Sequence, residues 1–194
     1  MGLTLSRRDA TIGELPCGGE KEGDVSSIDL RIRNALVTID PSSRRPAWHG
    51  APTAIGLLRG VKEETALWRP HSGAANVREI ALHIAFWENS VANRLTDGAV
   101  RLGFKQRKTS WAVQDDTVSE AQWREEIRLI KDAHAYLVKA VEAFNPRALD
   151  KPLGTKSTRP AIEFIHGAGE HSLYHAAQIK MLKTLCKRSD SGHV

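Results

Sequence analysis

The sequence predicts an all-α fold, a four-helix bundle, and three observations carry that prediction. Apolar residues recur at spacings of three and four along the second half of the chain, which puts them on one face of a helix. Cap residues and prolines bracket those stretches, as helix ends require. No stretch shows a convincing two-residue alternation, so no sheet is expected. With 194 residues, the chain suffices for one domain whose core needs no cross-links.

Residues 1–25 hold five glycines, mixed charges and little apolar periodicity, and are expected to be a flexible N-terminal extension. Residues 26–46 form a lead-in whose first part, Ser26 to Asp40, fits a short helix or a strand equally well. The bundle is expected over 47–187, with 188–194 as a polar tail. Its first helix falls over 51–60, followed by a short piece from Lys62 to Trp68 that Arg69-Pro70 stops.

Asn76 followed by Glu79 is a capping box, and opens a helix from Val77 to about Leu95 with Ile80, Ile84, Trp87 and Val91 along its stripe. Roughly twenty residues then connect Thr96 to Thr117. Such a length is uncommon in a compact domain and suggests a crossover between the second and third main helices. Thr117 or Ser119 caps the next helix, whose stripe runs through Trp123, Ile127, Ile130, His134, Leu137, Val141 and Phe144. Asn145-Pro146 ends it, and the last helix opens near Pro160 and runs to about Cys186.

Composition narrows the function. The formal charge of +5 comes from dispersed basic residues, the densest being Arg101 to Lys108 in a glycine-containing connection. A nucleic-acid reader concentrates its charge on one element, so no specific nucleic-acid partner is expected. No run of about 18 apolar residues exists, so no membrane span is expected. The N-terminus lacks the continuous apolar stretch of a signal peptide, and two cysteines, Cys17 and Cys186, make no disulfide framework. Together these features lead us to expect a cytoplasmic protein.

The chemistry concentrates in histidines. His171 and His175 stand four apart on the last helix, about 5–6 Å apart at Cβ, among Phe164, Ala168, Ile179 and Leu182. Two imidazoles so spaced chelate a metal ion if a third ligand arrives from elsewhere. His83, one turn before Trp87, and His134 both occupy inward positions, and spacing does not choose between them. His166 falls on a different face. Other architectures lack their motifs: no H-E-x-x-H, one Glu-x-x-His unit (Glu163 to His166) where a di-iron bundle needs two, and no G-x-S-x-G. Gly167 and Gly169, inside the last helix, suggest close approach of a neighbouring helix or a ligand.

The segments Ala47-Trp-His-Gly50, Trp68-Arg-Pro70, Asn76 to Glu88 with its LHIAFW core, His166-Gly and His171-Ser-Leu-Tyr-His-Ala-Ala-Gln-Ile179 together resemble the DinB-like (DinB/YfiT) superfamily of metal-binding bundles. The resemblance covers about 47–186. It implies an up-down-down-up topology, a homodimer, and a divalent ion such as zinc or nickel. It also implies that His83, rather than His134, joins His171 and His175 as the third ligand. One departure is Ala177, where the family usually has glycine before the glutamine.

The resemblance implies a family that includes S-transferases and isomerases using low-molecular-weight thiols, and members described as metal-dependent hydrolases. Catalysis would then rest on metal-bound water or thiolate, with Glu170, Tyr174 and Gln178 as candidate supports around the ligands and Trp87 and Trp111 as candidate pocket walls. The contrasting expectation is a non-catalytic bundle stabilised by metal and acting through protein contacts. A closed four-ligand site with His134 included would favour it.

The reading of residues 1–25 has a direct check. Deleting them should leave the thermal midpoint nearly unchanged, because the segment offers few apolar groups to bury. A fall of about ten degrees or more, equivalent to about 2.5–5 kcal/mol for a domain this size, would show that it packs on the bundle.

Overall fold

The computed structural model describes residues 29–40, 52–98, 111, 117–154 and 157–190. Six helices form among them: α1 (Leu30–Ile39), α2 (Ala54–Leu57), α3 (Glu63–Leu67), α4 (Val77–Leu95), α5 (Glu120–Glu142) and α6 (Ala161–Asp190). A single 3-10 turn, Pro146–Ala148, follows α5. Apart from one bridge between Pro152 and Pro160, no β-pairing occurs among the described residues. No helix among them is long and apolar enough to cross a membrane. The N-terminal extension, the basic stretch 101–108, Ala47 to Gly50 and the end of the polar tail lie outside the described residues, as does most of the long connection.

The undecided stretch 26–40 contains α1. Asp29 caps it by accepting from the Arg31 backbone N–H at 2.8 Å, and Ile32, Ala35, Leu36 and Ile39 bury one face. That face packs on α6 and α5, while α4 packs on α5 and α6. The helix expected over 51–60 is one turn, Ala54–Leu57, capped by Thr53 and followed by Gly60 at φ +70°. Glycine takes that left-handed conformation without the Cβ clash other residues meet, and the helix stops there.

The other starts follow the sequence. Asn76 Oδ1 accepts from Glu79 N at 2.9 Å while Glu79 Oε2 accepts from Asn76 N at 3.1 Å, a complete capping box for α4. Arg69 clamps the same carboxylate through two bonds of 2.7 and 2.8 Å. Ser119, not Thr117, caps α5, with Gln122 closing its box. Trp123, Ile130, Leu137 and Val141 are buried, and Trp123 Nε1 donates to Val61 O at 2.8 Å, tying α5 to the loop before α3.

The core divides in two. One cluster joins Ile80 to Ala85 of α4, Trp123 to Ala133 of α5 and Ala176 to Leu182 of α6. The other joins α1 to Val91 and Ala92 of α4, Leu137 to Val141 of α5, and Ile165 and Ala168 of α6. Between them, each long helix carries polar side chains: Glu88 on α4, His134 on α5, and His171, Ser172 and His175 on α6.

Gly169 explains how α1 sits so close to α6. A Cβ there would lie 3.0 Å from Thr38 Cγ2 and 3.3 Å from Ile39 Cγ1, whereas one at Gly167 would meet nothing within 4 Å. Two substitutions should therefore shift stability in opposite directions. Gly167→Ala should raise it by up to about 1 kcal/mol through helix propensity, and Gly169→Val should lower it by about 1–3 kcal/mol through overpacking. Thermal melts in which both substitutions stabilise would contradict the close approach of α1.

Candidate metal centre

Three imidazoles converge between α4 and α6. The ligand-capable nitrogens of His83 on α4 and of His171 and His175 on α6 all lie within 4.8 Å of one another. The two α6 residues are one turn apart, so the helix repeat turns both rings to α4, where His83 sits at mid-length. Ring centroids are 5.0 Å apart for His83 and His171, 4.9 Å for His83 and His175, and 4.5 Å for the α6 pair.

The donor set fits a divalent ion. His171 Nε2 and His83 Nε2 stand 3.2 Å apart. Two nitrogens bound about 2.0–2.1 Å from one tetrahedral zinc would stand about 3.3–3.4 Å apart. Lone pairs are available as well. Burial, then the nearby His175 and His83 rings, pushes His171 down to about 4, so it is neutral at neutral pH. Burial likewise holds His175 below the ordinary imidazole value, against a hydrogen bond to Gln178 that works upward. This trio of histidines could hold a divalent metal ion.

Gln178 orients one of the three. His175 Nδ1 lies 2.6 Å from Gln178 Oε1, and with the proton on Nδ1 the ring leaves Nε2 as its lone-pair nitrogen. Gln178 Nε2 in turn donates to the Tyr174 hydroxyl at 3.1 Å. Tyr174 and Gln178 thus share one hydrogen-bonded chain with His175. Glu170 is exposed and stands apart from the cluster. The indole of Trp111 stacks on His83, with centroids 4.0 Å apart and planes 10° from parallel, and Trp87 meets His83 edge-on at 6.5 Å. Both tryptophans wall the site.

His134 is not in the trio. Its Nδ1 lies 3.3 Å from Glu88 Oε1, and the same oxygen accepts from Ser172 Oγ at 2.8 Å. Glu88 is 2% exposed, and its other oxygen, Oε2, is buried without a protein partner among the described residues. Sequence reasoning passed over Glu88 and Ser172. The signal for them was an acid inside the apolar run Ile80 to Val91, and a serine turned inward beside His171.

An elongated groove leads away from His171 between α4 and α6. Its volume is about 320 Å³, and Trp87, Val91, Phe164 and Gly167 line its middle. A family model, the DinB superfamily, matches residues 52–179. No curated protein and no solved structure gives a match.

The Glu88–His134 pair makes a pH-dependent contribution with a definite sign. Burial, the largest influence, lowers His134, but hydrogen bonding to Glu88 and the charges of Glu88 and Asp40 outweigh it and leave it above 6.5. The folded state thus favours the protonated ring. That stabilisation is complete below about pH 6.5 and is lost as pH rises through the folded value. The thermal deficit of His134→Gln should be largest near pH 6 and shrink toward pH 8.5. A deficit that grows with pH would contradict the pairing.

Proposed function

The chain belongs to the DinB superfamily, and from that premise we propose that it is a metal-dependent enzyme whose ion is held by His83, His171 and His175. The observation that carries the proposal is the convergence of the three imidazoles beside an open groove, with His134 engaged by Glu88 instead of closing a fourth position. Imidazole nitrogens suit zinc and nickel, and these are the ions we assign. A divalent ion there supplies Lewis-acid chemistry, favouring the anion of a water or thiol near neutral pH.

The chain's own residues do the rest. Three neutral imidazoles leave the full charge of the ion uncompensated, Gln178 fixes the His175 ring, and Trp111 and Trp87 shield the His83 side from water. The reaction is either hydrolysis of a small molecule or S-transfer from a low-molecular-weight thiol, in the cytoplasm. The scaffold in this reading is an up-down-down-up bundle of α1, α4, α5 and α6, with the long connection as crossover. Exposed Tyr174, Met181 and Leu185, spaced along one side of α6, offer an apolar face for the homodimer we include in it.

Purified protein should hold about one divalent ion per chain. His83→Ala or His175→Ala should lose most of it, while Gln178→Ala should weaken affinity by about 10–100-fold. Full occupancy in the His83→Ala/His175→Ala double variant would overturn the ligand assignment. A cobalt-substituted form should develop a sulfur–metal charge-transfer band with a thiol if S-transfer is the chemistry, and His171→Ala should abolish the band. Hydrolysis should instead ignore thiols and rise with a pKa near ~7. Neither response across thiol, ester, amide and lactone panels would favour the non-catalytic bundle.

A further inference from the structure

The groove beside His171 is polar at its two ends and mostly apolar between them, with Glu88 and Ser90 also on the lining there. His171 stands at one end; at the other are Arg94 from the last turn of α4 and Arg159 and Glu163 from the start of α6. Phe164, Val91 and Trp87 form the apolar stretch. At about 320 Å³ the space matches the lower end of small-molecule sites, roughly 300–1,000 Å³.

The charges at the far end are unequal. Arg159 is matched by Glu163, with Nη1 and Oε2 3.4 Å apart. Arg94 lies over the Phe164 ring, 5.3 Å from its centroid, and among the described residues makes no hydrogen bond or ion pair. The C-terminal end of α4 favours a cation at this place, yet no described residue accepts from the guanidinium N–H donors. The aromatic face beneath it orients the planar fork and leaves those donors for a ligand.

We propose that this groove is the substrate-recognition site and that it takes a small organic monocarboxylate. The carboxylate pairs with Arg94, the apolar body lies along Phe164, Val91 and Trp87, and the reacting end reaches His171. A guanidinium binds a carboxylate through two parallel bonds, so one free arginine suffices as an anchor. The helix rise sets the reach. Phe164 and His171 are seven residues apart on α6, roughly 10 Å. A ligand must span about that distance between its carboxylate and its reacting group. The inference rests on the metal-site reading for what happens at the His171 end, and on the groove alone for what binds at the Arg94 end.

The test separates the two. Full-length protein, both chelator-treated and zinc-loaded, is titrated with 3-phenylpropionate, 4-phenylbutyrate and 5-phenylpentanoate against their primary amides, following the Trp87 indole resonance. At least one carboxylate should bind both forms about tenfold tighter than its amide, as expected for a charge-assisted pair, with affinity falling as salt rises. Arg94→Gln should erase that preference, Arg94→Lys should restore part of it, and neither should change metal content. Equal binding of acid and amide, no binding by any of the three, or a preference that survives Arg94→Gln would overturn the proposal. So would binding confined to the zinc-loaded form, which would put the carboxylate on the metal. A protein that takes up no metal but still prefers carboxylates through Arg94 would sink the metal-site reading and leave the groove assignment standing.

Discussion

A buried carboxylate sets the register of this molecule. Glu88 lies at the waist of α4 with almost no access to water, and an unpartnered charge there would cost several kcal/mol. Its Oε1 meets Ser172 from α6 and His134 from α5, so each of the three long helices contributes one member. Sliding any helix by one turn, about 5.4 Å, would strip Glu88 of a partner. The apolar clusters on either side tolerate many repackings; this contact does not. We see in it the reason that His83 and the α6 pair meet: both lie within about a turn of the polar layer.

Two further contacts hold the same alignment from the α4 N-terminus. Arg69 grips Glu79 while Glu79 caps its own helix, so one carboxylate fixes both where α4 begins and where the preceding loop lies. One residue earlier, Arg78 forks onto Glu126 of α5 with bonds of 2.7 Å each. Desolvated pairs of this kind add little net stability over apolar contacts but penalise misalignment strongly, because breaking one strands a charge. The α4–α5 packing is thus specified by charge at one end and by Glu88 at the middle, with apolar contact filling the rest.

Much of this was legible in the sequence, and the parts that were not share a cause. The helices α4, α5 and α6 announce themselves through long stripes and local caps, both properties of contiguous residues. The helix α1 did not, since Leu30-Arg-Ile-Arg reads as strand alternation while Ile32, Ala35, Leu36 and Ile39 read as a helix face. Only the presence of α6 decides between them, through the gap that Gly169 leaves. The two α6 histidines were visible as a pair because helix geometry is local. The choice of His83 over His134 needed the resemblance, since both are inward-facing and the difference lies in what faces them. Tertiary pairing turns His134 to Glu88 and away from the three-His cluster, and nothing in either residue's own neighbourhood encodes that.

The all-imidazole donor set and the groove bear on each other electrically. A site built with a carboxylate ligand would offset part of the ion's charge, whereas three neutral rings offset none. The nearest buried acid, Glu88, is turned to Ser172 and His134, and Glu163 is matched by Arg159. With an ion in the His83–His171–His175 trio, the groove would hold positive charge at both ends and apolar surface between them. A low-dielectric wall of Phe164, Val91 and Trp87 strengthens such a field over what bulk water would allow. An anionic molecule would then be drawn in from either end, and orientation would fall to geometry: the Arg94 fork matches a planar carboxylate, while an ion held by the three imidazoles would favour a single donor atom. Discrimination between the two ends thus comes from the shape of the cation, with net charge setting only the attraction.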